Sequence, residues 1–173
     1  MGQYYKVVNT ELMQWYHPDW LKLMEHSWLG NECVGKIMRL LSPGGDWYKA
    51  PIVWCGDYYS EYGEIPYYDL VKSADRVRPE KTMTRDEQLQ AILVNHTKLE
   101  YTTYQNLPKN KDGWVINPLP LLTACGNNRG GGDYYDSHPD FDKVGIWAND
   151  RLSVETEIPY GYWHLKVNFI EIR

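Results

Sequence analysis

Phenylalanine is almost missing from this chain: two residues in 173, against eight tryptophans and fifteen tyrosines. The aromatic load therefore carries a polar handle nearly everywhere, which suits half-buried sheet positions or a binding surface. Cysteine is scarce and odd in number. Cys33, Cys55 and Cys125 sit among apolar neighbours without metal-ligand spacing, which excludes a disulfide framework and a zinc site and points to thiols in a reducing cytoplasm. Positive charge is short as well, with 18 Lys and Arg against 23 Asp and Glu and a net charge of -5. Lys109-Asn-Lys111 is the nearest approach to a basic run, so a phosphate-gripping nucleic-acid surface is not expected. No long apolar stretch and no signal-peptide pattern is found, so the expectation is a soluble cytoplasmic protein with no membrane association. A P-loop and a dinucleotide-binding Gly-x-Gly-x-x-Gly turn between strand and helix are also missing, and no cofactor is predicted.

What is present is a recurrence. Glu-Ile-Pro-Tyr stands at 64–67 and again at 157–160, and ten residues before each copy lie Val-Trp54-Cys-Gly-Asp57 and Ile-Trp147-Ala-Asn-Asp150, all at an offset of 93. Pro-Gly-Gly-Asp46-Trp-Tyr faces Gly-Gly-Gly-Asp133-Tyr-Tyr at offset 87, with an insertion around Asp-Ser-His-Pro-Asp-Phe, and Val7 to Trp15 faces Leu93 to Tyr101 at offset 86. Four blocks in one order, with small changes of offset, are what insertions leave in a duplicated unit. The expected organisation is one compact domain over 1–173: repeat 1 at about 3–72, a charged linker at 73–88 and repeat 2 at about 89–173. A half of roughly 75 residues is marginal alone, so the halves should pack on one another.

Tyr-Tyr-Lys-Val-Val-Asn-Thr-Glu-Leu-Met-Gln-Trp-Tyr reads as a hairpin turning near Asn9 and Thr10, and the stretch from Ala91 to Tyr101 reads the same way. Cys33, Ile37, Met38 and Leu41 share a helical face that Ser-Pro-Gly-Gly terminates. The second half offers only a short helix, because Asn117-Pro-Leu-Pro-Leu-Leu carries two prolines. Thr84-Arg-Asp-Glu87 is a capping box. Strands are expected at Pro51–Asp57 and Val144–Glu155, and a half-buried one alternates through Trp163, Leu165, Val167 and Phe169. The fold class is α+β: two diverged tandem repeats with pseudo-two-fold symmetry, a mostly antiparallel sheet and a few short helices, since short connections do not serve parallel crossovers.

The opening Met-Gly-Gln-Tyr-Tyr, the Leu-Val-Asn-His-Thr-Lys segment, Pro-Leu-Pro-Leu-Leu-Thr-Ala-Cys-Gly-Asn-Asn-Arg-Gly-Gly-Gly-Asp-Tyr and Val-Gly-Ile-Trp-Ala-Asn-Asp-Arg together resemble a family of short, uncharacterised bacterial and bacteriophage proteins. The resemblance covers most of the chain, most clearly 91–163. It implies a prokaryotic or phage origin and supplies no activity and no site residues.

The strongest local motif is Cys125-Gly-Asn-Asn-Arg-Gly-Gly-Gly-Asp-Tyr-Tyr135. Its glycines allow close backbone approach, its amides can cradle an anion and Arg129 offers a planar fork. The plainer reading is a tight loop in which Asp133 bonds backbone amides. The candidate ligand-binding set is Asn127, Arg129, Gly131, Gly132, Asp133, Tyr134, Trp147 and Asp150 with Asp46, Trp54 and Asp57. Asp46 with Asp133, and Asp57 with Asp150, would be repeat-equivalent carboxylates, set either at a shared axis or simply in turns. Trp54, Trp147, Tyr58, Tyr59, Tyr134 and Tyr135 would wall a pocket or fill the core. His17-Pro-Asp19 and His138-Pro-Asp140 read as turn chemistry. No metal site is predicted, and Glu64 and Glu157 read as structural.

The expected function is a non-enzymatic binding protein of bacterial or phage origin, taking a small anionic ligand such as a nucleotide, or a host protein, in a counter-defence setting. The alternatives are a hydrolase or transferase using Asp and His near the Arg-Gly-Gly-Gly-Asp loop, and an interaction module without a pocket. The sequence assigns no oligomeric state.

Overall fold

The computed structural model describes residues 1–58 and 65–172; Tyr59 and Glu64 lie outside the described residues. Two antiparallel hairpins open the two halves. β1 (Tyr5–Asn9) turns into β2 (Gln14–Tyr16), and β4 (Ile92–Asn95) turns into β5 (Glu100–Thr103). The turns are built alike. Asn9 Oδ1 accepts from the amides of Glu11 and Leu12, and Asn95 Oδ1 from those of Thr97 and Lys98. Each ends on a left-handed residue, Met13 or Leu99. The Asn side chain stands in for a backbone acceptor, the preference that places Asn in such turns.

Each hairpin then pairs with a later strand. β1 lies against β3 (Ala50–Gly56) with Val7 opposite Trp54 and Asn9 opposite Ile52. β4 lies against β7 (Asp150–Glu155) with Leu93 opposite Val154 and Asn95 opposite Leu152. β3 and β7 meet antiparallel at the middle of the sheet, where Ala50 faces Leu152, Pro51 faces Arg151 and Ile52 faces Asp150. The sheet order is β2-β1-β3-β7-β4-β5-β8, with β8 at Trp163–His164.

The sheet is mostly antiparallel, as its short hairpin connections require. Two pairings depart from this. β6 (Ala124–Cys125) runs parallel to β3, and β8 runs parallel to β5; each is reached through a long stretch of intervening chain, which is what a parallel pairing needs. The predicted strand at 144–155 begins only at Asp150, because Asn149 takes a left-handed conformation and Trp147 still belongs to the preceding turn.

Helices cover both faces, most of them one face and the short helix at Tyr67–Leu70 the other. α1 (Leu23–His26) is a single turn, and α2 (Glu32–Leu40) is capped by Asn31, whose Oδ1 accepts from Val34 N at 3.1 Å. Its spacing buries Cys33, Val34, Ile37 and Met38, with Leu41 just beyond. α3 (Tyr67–Leu70) follows the undescribed segment, α4 (Arg85–Leu89) carries the Thr84–Glu87 capping box, and α5 (Pro118–Leu122) is five residues long with proline at its first turn, where a missing amide costs nothing. The charged 73–88 stretch is not wholly solvated, since Met83 and Gln88 are buried.

Alternation along the strands divides the core. Val7, Ile52, Trp54, Leu93, Leu152 and Val154 face the helices in the main cluster. Val8, Trp15, Val53 and Cys55 point the other way into a smaller cluster that α3 covers with Tyr67 and Tyr68. Trp47, Trp54 and Trp147 are wholly buried. Each such indole removes about 200 Å² from water, worth on the order of 5 kcal/mol as an upper estimate.

Two of the buried tryptophans are held alike. Trp47 Nε1 donates to Gln14 Oε1 at 2.9 Å, and Trp147 Nε1 to Glu100 Oε1 at 3.2 Å. Gln14 and Glu100 open the second strand of their hairpins, paired with Asn9 and Asn95. Trp47 and Trp147 are thus each held by the first residue of a hairpin's second strand. Trp54 N donates to Thr123 O, and Val154 N to Leu41 O.

Candidate functional site

The Gly-rich loop closes on the amino-terminal segment. Gly131 N donates to Met1 O at 2.8 Å, Gln3 N to Gly131 O at 3.2 Å and Met24 N to Gly132 O at 2.9 Å. Asp133 is buried beneath it. Its Oδ2 accepts from Gln3 Nε2 at 2.6 Å, Arg129 N at 3.0 Å and Gly130 N at 3.1 Å, and its Oδ1 from the Tyr5 hydroxyl at 2.9 Å. Burial and the Asp133 charge push the Tyr5 phenol well above its ordinary value, so it stays a donor. The glycines permit this closeness. A Cβ on Gly130 would lie 2.6 Å from Gln3 Cβ, and Gly132 has φ +84. Two amides that could cradle an external anion thus already serve the chain's own carboxylate.

The neighbouring candidates are similarly engaged. Asn127 brackets Tyr134, its Nδ2 donating to Tyr134 O at 2.6 Å and its Oδ1 accepting from Tyr134 N at 2.9 Å. Tyr134 is buried, with its hydroxyl bonded to Pro139 O and accepting from Ile170 N. Arg129 Nη1 donates to Tyr58 O at 2.9 Å. Trp54 donates through Nε1 to His26 Nε2 at 2.9 Å, and burial lowers that imidazole to about 3, keeping it a neutral acceptor. Asp57 Oδ1 accepts from Tyr4 N, while Asp150 Oδ2 accepts from Asn95 and is paired with Lys98.

Asp46 is exposed and lines a cleft of about 410 Å³ with Gly44, Gly45, Arg39 and Lys81. This cleft lies at the carboxyl end of α2, whose partial charge is negative. It shares no residue with the cleft of about 420 Å³ lined by Gly126, Asn127 and Arg129. The two Gly-Gly-Asp segments are not brought together in one cavity. The His-Pro-Asp segments occupy turns, with Asp19 and Asp140 both at positive φ. Among the described residues no group of three or more His, Cys, Asp or Glu could hold a metal ion, and no helix is long and apolar enough to cross a membrane.

Another set of residues converges where sequence reasoning named none. His96 Nε2 lies 2.7 Å from Ser153 Oγ, and its Nδ1 lies 3.1 Å from the Tyr162 hydroxyl. Burial, together with the Lys49 charge, lowers the His96 pKa. The ring lines a cleft of about 510 Å³ with Tyr48, Lys49, Glu155, Ile158 and Tyr160. Tyr48 donates to Glu155 Oε1 at 3.3 Å, and the buried Glu155 Oε2 has no hydrogen-bond partner among the described residues. Ser153 has no exposed surface, so this chain of hydroxyl and imidazole is a fastening and not an accessible nucleophile.

Beside the cleft runs an apolar ridge: Ile158 is 56% exposed, Tyr160 102%, Trp163 77% and Leu99 49%. Trp163 N bonds to Leu99 O, so the ridge is continuous with the second hairpin turn. Trp163 is exposed, and the predicted half-burial begins only at Leu165 and reaches Val167 and Phe169. The signal available was Ile-Pro-Tyr-Gly-Tyr-Trp itself: five large residues crowded about one turn glycine cannot all face inward.

No protein family, no curated protein and no solved structure matches the chain.

Proposed function

We propose that the protein is a non-enzymatic binding protein whose partner is another protein, engaged at the ridge of Ile158, Tyr160 and Trp163 and the His96–Glu155 cleft beside it. The observation that carries the reading is a contrast between the two outer faces of the sheet. In the first half that face, bearing Val8, Val53 and Cys55, is roofed by Tyr67 and Tyr68 from α3. In the second half the matching positions are Val94, Ser153 and Glu155; Val94 and Ser153 are buried too, but Val94 and Glu155 line a cleft whose rim carries the exposed Ile158 and Tyr160. An apolar ridge on a soluble surface is a docking feature, and Trp and Tyr are the residues that dominate such contacts. The partner would place an apolar side chain against the ridge and a hydrogen-bond donor at Glu155 Oε2. A small anionic ligand at the 126–133 loop has less support, because Asp133 holds the loop amides. The reading as a hydrolase or transferase has less support, because Ser153, the hydroxyl bonded to His96, has no exposed surface.

An internal duplication, with units of about 3–72 and 89–173 in one compact domain, belongs to the same proposal. It is supported by the paired Asn9 and Asn95 turns, by Trp47 and Trp147 bonding to matching strand positions, and by the centring of the β3–β7 register on Pro51 and Arg151. Origin in a bacterium or phage, and a cytoplasmic site of action, rest on the motif resemblance and the thiol content.

The test compares the wild type with a Tyr160→Ser, Trp163→Ser double variant as affinity baits in bacterial extract, followed by reconstitution with the purified partner. We expect one partner whose affinity falls at least tenfold in the variant while the melting temperature stays within a few degrees. Equal binding of that partner by both baits would overturn the reading.

A further inference from the structure

We propose that Cys55 and Cys125 form a redox-reactive dithiol that closes to an intramolecular disulfide. The two are far apart in sequence, yet they are direct partners in the parallel β3–β6 pairing, Cys55 opposite Cys125. Partners across adjacent strands share a face, and both side chains pack in the same small cluster with Val8, Trp15 and Val53. Neighbouring strands lie about 4.8 Å apart, inside the range of roughly 4.4–6.8 Å over which a disulfide spans two Cα atoms. No disulfide is present, and both are thiols.

The pair is graded for the chemistry. Cys125 is half-buried and lines the cleft with Gly126, Asn127, Arg129 and Asp142, so a small disulfide can reach it. Cys55 is buried and donates to Lys6 O at 3.4 Å. Burial, with Cys125 beside it, pushes its thiol up to about 12. With oxidised glutathione as oxidant, the Cys125 thiolate attacks one glutathione sulfur and expels the other as glutathione thiolate. The Cys55 thiol then loses its proton to solvent and attacks Cys125 Sγ, releasing the second glutathione. Two protein thiols are oxidised and one glutathione disulfide is reduced to two thiols. The second step is the slow one, because Cys55 yields its proton reluctantly. The product ties the start of the Gly-rich loop to β3. Cys33 lies in the main cluster on the opposite face of the sheet, bonded to Asp19 Oδ2 at 3.3 Å, and serves as an internal control.

The experiment treats the whole protein with oxidised glutathione and follows thiol count, intact mass and non-reducing peptide maps. We expect the three thiols to fall to one, a mixed disulfide on Cys125 that appears first and resolves faster as pH rises, and a linked peptide pair carrying Cys55 and Cys125. Cys125→Ser should slow thiol loss at least tenfold, and Cys33→Ser should change nothing. A wild-type mixed disulfide that persists without resolving, a Cys125–Cys125 link between two copies, or reaction first at Cys33 would each overturn the proposal. The peptide map on wild type decides the matter even if Cys55→Ser fails to fold.

Discussion

The first hairpin and the second have one turn and one register, yet they end in different surroundings. Along the outer strand of the first, Trp15 is bridged by Arg76 and accepts a bond from Val77 N. Along the outer strand of the second, Tyr101 pairs with His164 and accepts from Leu165 N. Both edges are thus covered by a returning segment in the same parallel sense. What differs is the approach of that segment. In the first half it passes over the outer sheet face, so that Lys6 Nζ sits 4.0 Å from the Tyr68 ring centroid and 4.6 Å from that of Trp15. In the second it stays at the rim, held by His96 and Tyr162, and leaves Tyr160 and Trp163 in solvent. The two outer faces are therefore covered differently, by the residues that follow β3 in one case and those that follow β7 in the other. Function concentrates in such connecting segments, since the framework tolerates their variation.

Three experiments test how alike the two regions are. The largest effect is expected from Trp47→Ala and Trp147→Ala, each losing a wholly buried indole and its hydrogen bond. Each should cost about 3–5 kcal/mol by denaturant unfolding. A large cost at one and a negligible cost at the other would break the correspondence between them.

Acid should reveal where the halves differ, because the Trp54 position carries a buried histidine partner and the matching Val154 position does not. His26 takes a proton in the unfolded chain below about 6.5 but in the fold only near 3. The unfolded state therefore binds more protons in that window. Stability is full above pH 6.5 and falls as pH drops toward 3, by on the order of a few kcal/mol. His17 and His96, both lowered by burial, act in the same direction. Melting temperatures of wild type and His26→Gln across this window should diverge, with the variant falling less steeply; parallel curves would remove His26 from the account.

The smallest effect is in the turns. Asn9→Ala and Asn95→Ala each remove an acceptor shared by two amides, costing about 1 kcal/mol. Asn95→Ala should cost somewhat more, since it also deprives Asp150 of a 2.8 Å bond. Chemical denaturation of the two variants side by side measures the difference.

Much of the framework could be read from local pattern. The helical face from Cys33 to Leu41, the capping box at Thr84 and the short proline-limited helix at 118–122 follow from spacing and cap chemistry, which act within a few residues. The hairpins were legible because Val-Asn in both copies falls where the turn needs an Asx acceptor. Two Trp-x-x-Asp segments look alike in sequence, yet it is Trp47 and Trp147 whose indoles bond to the strand after a hairpin turn, a contact that no local pattern records. A tight loop with Asp133 bonding backbone amides is legible in the glycine motif, but its closure on Met1 and Gln3 joins residues more than a hundred apart, which no local pattern records. Alternation identified the face of Trp163 without telling whether anything lies against it.

The crossed bonds at the sheet centre carry a further consequence. Leu41 O serves Val154 N, and Thr123 O serves Trp54 N, so each helix end completes a strand belonging to the opposite half. Neither half holds all of its own acceptors. Cut at an exposed position such as Lys81, the chain would yield two fragments, each lacking what the other supplies, and folding would become a bimolecular reaction with a midpoint that depends on concentration.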